Sequence, residues 1–245
     1  MTHSTIDNAI DDKAVDDKAV VREYFNATGF DRWQRIYGDG DVNKVQANIR
    51  TGHQKTIDNV LEWFAEDEDL SQVTVCDAGC GVGSLSIPLA KLGAKVFASD
   101  ISEKMVAEAE IRAKAALSDE LSAEKMPEFE AKDLEAITGT YHTVVCLDVL
   151  IHYPQDKASD MIKHLSSLAT DRIFVSFAPK TCFYATLKKV GDFFPGPSKA
   201  TRAYLHRESD VVKALEDNGW KVGRRSLNKA PFYFSRLLEA TRANG

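Results

Sequence analysis

The stretch Asp77-Ala78-Gly79-Cys80-Gly81-Val82-Gly83-Ser84 decides the reading of this chain. It follows the apolar run Val73-Thr74-Val75-Cys76, which reads as a short buried strand. It precedes Leu85-Ser86-Ile87-Pro88-Leu89-Ala90, which opens a helix. A glycine turn between strand and helix brings backbone N–H groups close to a nucleotide-like ligand, because no Cβ stands in the way. The spacing is Asp-x-Gly-x-Gly-x-Gly. The dinucleotide fingerprint Gly-x-Gly-x-x-Gly would need glycine at 84, where Ser84 stands. A purely structural glycine turn in another α/β fold is the competing reading.

Outward from this turn, strand and helix patterns alternate. Residues 43–66 read as a helix, with Val45, Ile49, Ile57, Leu61 and Phe64 at helical spacing and Gly52 weakening the middle. Strands are predicted at 73–77, 95–99, 129–131, 143–147 and 172–177. Helices are predicted from 85 to Gly93, over 103–117 with Ser102 as cap, and over 155–169. After the fifth strand the pattern breaks. Residues 178–206 read as an insertion with an aromatic, amphipathic stretch at 183–194. The regular pattern resumes with a helix at 207–218 and strands at 221–227 and 232–238. This period implies a Rossmann-like, doubly wound, mostly parallel seven-stranded α/β sheet. Asp77, Asp100, Asp133 and Asp148 recur at the carboxyl ends of strands, where such sheets bind ligands.

The 245 residues suffice for one domain with a sizeable core, here 20–245, and the 44% hydrophobic content is that of a globular chain. Residues 20–42 and 178–206 are expected to form an N-terminal helical lid and a cap around an acceptor pocket. A net charge of −6 without a basic face argues against nucleic acid. Cys76, Cys80, Cys146 and Cys182 form no Cys-x-x-Cys pair and fit a reducing compartment. The six histidines lack metal-ligand spacing, so no protein-bound metal is expected. Residues 1–19 read as a disordered acidic tail, with Asp-Asp-Lys-Ala-Val repeated at 11–15 and 16–20. The tail is too acidic for a transit peptide, and no apolar run approaches the roughly 18 residues of a membrane span.

The glycine motif resembles motif I of the class I S-adenosylmethionine methyltransferases. The resemblance narrows at Val21-Arg22-Glu23-Tyr24-Phe25-Asn26, Gly29-Phe30-Asp31-Arg32-Trp33, Ile36-Tyr37-Gly38-Asp39-Gly40, Ser99 to Met105, Cys146 to Pro154 and Phe194-Pro195-Gly196-Pro197-Ser198. Over about residues 20–242 the chain is similar to the magnesium-protoporphyrin IX O-methyltransferases of chlorophyll biosynthesis.

The resemblance implies methyl transfer from S-adenosylmethionine to a propionate carboxylate of magnesium protoporphyrin IX, with S-adenosylhomocysteine as the second product. It implies that Asp77, Ala78, Gly79 and Gly81 hold the methionine part of the cofactor. Asp100 would hold the ribose hydroxyls, a helix cap being its alternative role. Ile101 and Met105 would flank the adenine. Asp133, with the Leu134 backbone, would accept from the adenine amino group unless it is an ordinary polar loop residue. Leu147 and Asp148 would lie near the methionine moiety. Arg50, on the same helix as His53, would pair with the cofactor carboxylate, or else face solvent. Tyr37 and His152 are the implied acceptor-side catalytic pair, with lid packing the alternative for Tyr37. For His152 the roles of base, positioning group and magnesium ligand stay open. Lys188, Lys189, Lys199 and Arg202 are available for the spare propionate.

The resemblance also implies contact with the large porphyrin-binding subunit of magnesium chelatase. It places the protein in the cytoplasm of a cyanobacterium, peripheral to thylakoid membranes, or in a plastid after processing. Methylation of a quinone-type phenol, or porphyrin carriage without turnover, are the other functions compatible with these motifs.

Overall fold

The structure is a computed structural model that describes residues 19, 21–38, 40–67, 69–180 and 204–243. The expectations for the tail before residue 19, for 183–194 and for Lys188, Lys189, Lys199 and Arg202 lie outside these residues.

Seven strands form one sheet: β1 (Thr74–Ala78), β2 (Lys95–Asp100), β3 (Glu128–Ala131), β4 (Tyr141–Cys146), β5 (Ala169–Phe177), β6 (Trp220–Ala230) and β7 (Tyr233–Arg242). Their order is β3-β2-β1-β4-β5-β7-β6. The first five strands pair in parallel, and β7 runs antiparallel between β5 and β6. The mostly parallel, doubly wound sheet is therefore present. The chain runs outward from β1 to β3 and then returns to β4, so β1 and β4 flank the switch point where such sheets open a cleft.

Alternation within the strands builds two cores. Cys76, Val144, Cys146, Ile173 and Val175 face one side, whereas Val75, Val145 and Phe174 face the other. Burial on both faces is why these strands read as unbroken apolar runs. Each large side chain withdrawn from water, such as Phe64, Phe174 or Trp220, contributes roughly 1.5–3 kcal/mol.

The helices are α1 (Thr28–Ile36), α2 (Lys44–Phe64), α3 (Ser86–Lys91), α4 (Glu103–Leu117), α5 (Gln155–Leu168) and α6 (Glu208–Glu216). Helix α2 opens with a capping box between Asn43 and Gln46. Its far end is pinned to the sheet. Arg172 of β5, 7% exposed, pairs with Asp67 at 2.5 Å and lies 4.4 Å from the Phe64 ring centroid. Ser102 caps α4 by accepting from the Met105 N–H at 3.3 Å. The same hydroxyl donates to Asn26 Oδ1 at 2.7 Å, which ties the N-terminal segment to the sheet.

Two boundaries depart from expectation. β5 begins at Ala169, directly after α5, so no loop separates them. β6 and β7 are longer than 221–227 and 232–238, because the turn at Pro231 and Phe232 closes them into a hairpin.

Candidate active site

Asp77 is the penultimate residue of β1 and is 3% exposed. Its Oδ2 accepts the Ser86 hydroxyl at 2.5 Å. Burial pushes its pKa up to about 6. The Ser86 bond pulls it back, the Asp100 charge raises it, and His53 lowers it. The glycines then do separate jobs. Gly79 has φ +88°, its N–H donates to the Ser99 carbonyl at 2.8 Å, and a Cβ there would meet Val149 at 2.2 Å. Gly81 has φ +54° and donates its N–H to Asp100 Oδ2 at 3.0 Å.

Asp100 also accepts from the N–H of Ser102, the cap residue of α4, at 2.9 Å, and it lines the cavity. Burial raises its pKa, and the Ser102 and Gly81 N–H groups offset part of that rise. A carboxylate has about four acceptor sites, so capacity for two hydroxyl donors remains.

Between the strand ends and the N-terminal segment lies a cavity of about 590 Å³. Phe25, Trp33 and Tyr37 roof it from the N-terminal segment. Ile101, Met105 and Leu134 line it past β2 and β3, and Leu147 lines it past β4. Asp133 turns its carboxylate to the Glu135 N–H at 3.1 Å, and it is Leu134 and Glu135 that reach the cavity. The Ala78 side chain belongs to the core, which leaves only its backbone available to a ligand.

Asp148 reaches the cleft as expected, with its carboxylate bound by the protein itself. It holds φ +58° and lines the cavity, yet its carboxylate is already engaged. Oδ2 receives His53 Nδ1 at 2.9 Å and the Tyr233 hydroxyl at 2.6 Å. Oδ1 receives the hydroxyls of Ser176 at 2.9 Å and Ser235 at 3.1 Å. Four donors fill its acceptor sites, and one of them is the His53 ring. Burial works to raise its pKa, but the His53 hydrogen bond and charge, with the Tyr233 and Ser176 hydroxyls, hold it below the usual carboxylate range.

Arg50 lies away from the place expected for it. Its Nε donates to the Ile36 carbonyl at 2.8 Å, and Nη2 donates to the carbonyls of Arg35 at 2.7 Å and Gly40 at 2.9 Å. The guanidinium thus closes the C-terminal end of α1, where helix carbonyls lack partners, and does not line the cavity.

Tyr37 and His152 both line the cavity, as the resemblance implied. The Tyr37 ring stacks on Trp33 at 5.4 Å and passes within 3.8 Å of a Cβ built on Gly81. Burial, then the charges of Asp148 and Asp100, push its phenol pKa far above the usual value, so it remains a donor. His152 ends the short 3-10 turn Leu150–His152, and its ring meets Phe25 edge-on at 5.6 Å. Burial lowers its pKa to about 4, against a small opposing push from Asp148. Its Nδ1 is buried without a hydrogen-bond partner among the described residues.

His53 and Tyr233 are the site residues that sequence reading passed over or left unassigned. His53 offered no signal beyond its helix. Tyr233 lies far along the chain, on a strand that only the antiparallel insertion of β7 brings beside β5. Among the described residues no group of His, Cys, Asp and Glu could cage a metal ion.

The geometry is that of a methyltransferase cleft, and comparison with known proteins agrees. A profile of the magnesium-protoporphyrin IX methyltransferase C-terminus matches residues 146–242, and a methyltransferase domain profile matches 75–171. The chain is 57% identical to the magnesium-protoporphyrin O-methyltransferase of Synechocystis, covering 96% of this chain and 98% of the relative. This chain belongs to the magnesium-protoporphyrin O-methyltransferase family. It is also 63% identical to the chloroplastic magnesium protoporphyrin IX methyltransferase of Arabidopsis thaliana, over 90% of this chain and 70% of the relative. The Synechocystis family member, solved with bound S-adenosylhomocysteine, superposes with a TM-score of 0.84. It is 56% identical, and the match covers 92% of this chain and 99% of that one.

Proposed function

We propose that this chain methylates one propionate carboxylate of magnesium protoporphyrin IX with S-adenosylmethionine, giving the monomethyl ester and S-adenosylhomocysteine. The observation that carries this reading is near-full-length identity to enzymes of that name, joined to a cavity with an acidic glycine turn at one side and an aromatic lid over it. The residues present fit the cofactor. Gly79 and Gly81 take positive φ values that keep the turn free of side chains, and a buried carboxylate, Asp77, whose pKa burial raises, stands beside it.

When bound, S-adenosylmethionine supplies an electrophilic methyl group on a sulfonium. Asp77 would hold its ammonium group, and Asp100 its ribose hydroxyls. A propionic acid resembles Glu, with a reference pKa of about 4.3, so the acceptor is already an anion at neutral pH. No proton needs removal. His152, neutral above about pH 4, and Tyr37, a firm hydroxyl donor, therefore position the carboxylate. Alignment of the reacting atoms and exclusion of water by Phe25 and Trp33 supply most of the acceleration.

The family resemblance extends the proposal to contact with the porphyrin-binding large subunit of magnesium chelatase and to peripheral attachment at a thylakoid surface. A chloroplastic and a cyanobacterial relative support a plastid or cyanobacterial setting. Among the described residues no helix is long and apolar enough to cross a membrane.

The deciding experiment incubates the purified chain with magnesium protoporphyrin IX and S-adenosylmethionine and separates the products by chromatography with mass detection. The expected result is a cofactor-dependent monomethyl ester. Cofactor binding without any ester would overturn the proposal.

A further inference from the structure

We infer that His53, held by Asp148, is the axial ligand of the magnesium in the porphyrin, and so the residue that separates metallated from metal-free porphyrin. This rests on the reading of the cavity as a magnesium-porphyrin site.

The His53–Asp148 pair is built like a metal-binding histidine with its outer partner. Asp148 only accepts, so in the neutral imidazole, the form that binds a metal, the 2.9 Å bond places the ring proton on Nδ1. The lone pair is then on Nε2. The ring lines the cavity, and among the described residues its hydrogen bond runs through Nδ1 alone. Metal-ligating histidines characteristically donate the other ring N–H to a carboxylate, which fixes the tautomer and raises ligand basicity. Asp148 is in turn locked by the Tyr233, Ser176 and Ser235 hydroxyls, so the imidazole cannot easily swing away.

A single nitrogen suits a metal that brings its own equatorial ligands. A porphyrin supplies four, leaving an axial position open. The bond that forms is dative, from Nε2 to magnesium, and a water on that face of the metal leaves. No electrons change hands. Tyr37 stands beside the ligand, with ring centroids 4.7 Å apart, so the metal anchor and a carboxylate-positioning hydroxyl share one wall. His152 is less suited. Among the described residues no carboxylate holds its ring, and its buried Nδ1 has no partner.

The test titrates magnesium protoporphyrin IX and metal-free protoporphyrin IX into the full chain saturated with S-adenosylhomocysteine, following the Soret band and tryptophan quenching. Wild-type protein should shift the Soret band of the magnesium porphyrin. His53→Asn keeps an amide donor for Asp148 but lacks Nε2. It should abolish the shift and weaken magnesium-porphyrin binding about tenfold or more, leaving metal-free porphyrin unaffected. His53→Ala should regain the shift when free imidazole is added, which keeps the test decisive if the Asn variant fails to fold. His152→Ala should retain the shift. A shift that survives His53→Asn, or that disappears in His152→Ala, overturns the assignment while ester formation by the wild type keeps the functional reading intact. A wild-type chain that neither binds nor esterifies magnesium protoporphyrin IX overturns both.

Discussion

Gly52, in the middle of helix α2, lies directly under the ring of Tyr233. A Cβ on Gly52 would stand 2.2 Å from Tyr233 Cδ1 and 2.5 Å from Cγ. The close approach is what lets the Tyr233 hydroxyl reach Asp148 at 2.6 Å and Thr56 at 3.0 Å. Helix propensity alone favours alanine over glycine by about 1 kcal/mol. The contact predicts the opposite sign, because the obstacle is a rigid ring close to its own backbone. Gly52→Ala should destabilise the protein by about 1–3 kcal/mol. Urea denaturation measures it, and a raised midpoint would contradict the role given to Gly52.

The same pair marks where sequence stops being informative. The central strands were legible because they are buried on both faces, and acidic residues at their carboxyl ends pointed to the cleft. Gly52 was legible only as a weak point in a helix, since its reason is a tyrosine 181 positions away in the chain. Asp148 was legible as a cleft residue but not as a saturated one. Its donors come from α2, β5 and β7, and the antiparallel register that sets Ser176 opposite Leu237 has no local signature. Arg50 was assigned by residue type and helix, yet its partners depend on how the N-terminal segment doubles back.

Asp77 predicts the pH dependence of cofactor binding. Its folded pKa of about 6 lies above the ordinary 3.8. For the ligand-free protein, this group's stabilising contribution is full below about 3.8 and is lost as pH rises through about 6. A ligand ammonium reverses the preference, because it needs the carboxylate. Affinity for S-adenosylhomocysteine should therefore fall as pH drops through 6. Ser86→Ala removes the hydrogen bond that holds the pKa down, so the fall should begin at higher pH. Calorimetric titration from pH 5 to 8 reads both effects, and affinity flat across that range would rule out the Asp77 contact.

His152 predicts a rate profile without a histidine limb at its usual place. Its pKa is lowered from 6.5 to about 4, so its contribution to stability is present above 6.5 and lost as pH falls through about 4. At saturating cofactor, kcat should show no inflection near 6.5. A base typically contributes about 10²–10⁴-fold, whereas a positioning group is replaceable by an amide of similar reach. His152→Gln should accordingly keep appreciable turnover. Near-total inactivity of that variant, with S-adenosylhomocysteine binding intact, would return His152 to the role of base.

Arg50 separates two accounts of the N-terminal segment. In the structure its guanidinium gathers the carbonyls of Arg35, Ile36 and Gly40, and Arg112 of α4 holds the Tyr37 carbonyl at 2.8 Å from the other side. These two arginines fix the end of α1 and, through it, the aromatic roof formed by Trp33 and Tyr37. Arg50→Met should loosen that roof, costing about 1 kcal/mol for hydrogen bonds that are partly exposed to water. Lysine should not substitute, since one ammonium cannot match the planar fork that reaches three carbonyls. The expected readouts are faster proteolysis at Arg32 and Arg35, a raised KM for the porphyrin, and an unchanged Kd for S-adenosylhomocysteine. A Kd that rises sharply for S-adenosylhomocysteine, but not for its decarboxylated analogue, would instead show Arg50 leaving the carbonyls to bind the cofactor carboxylate.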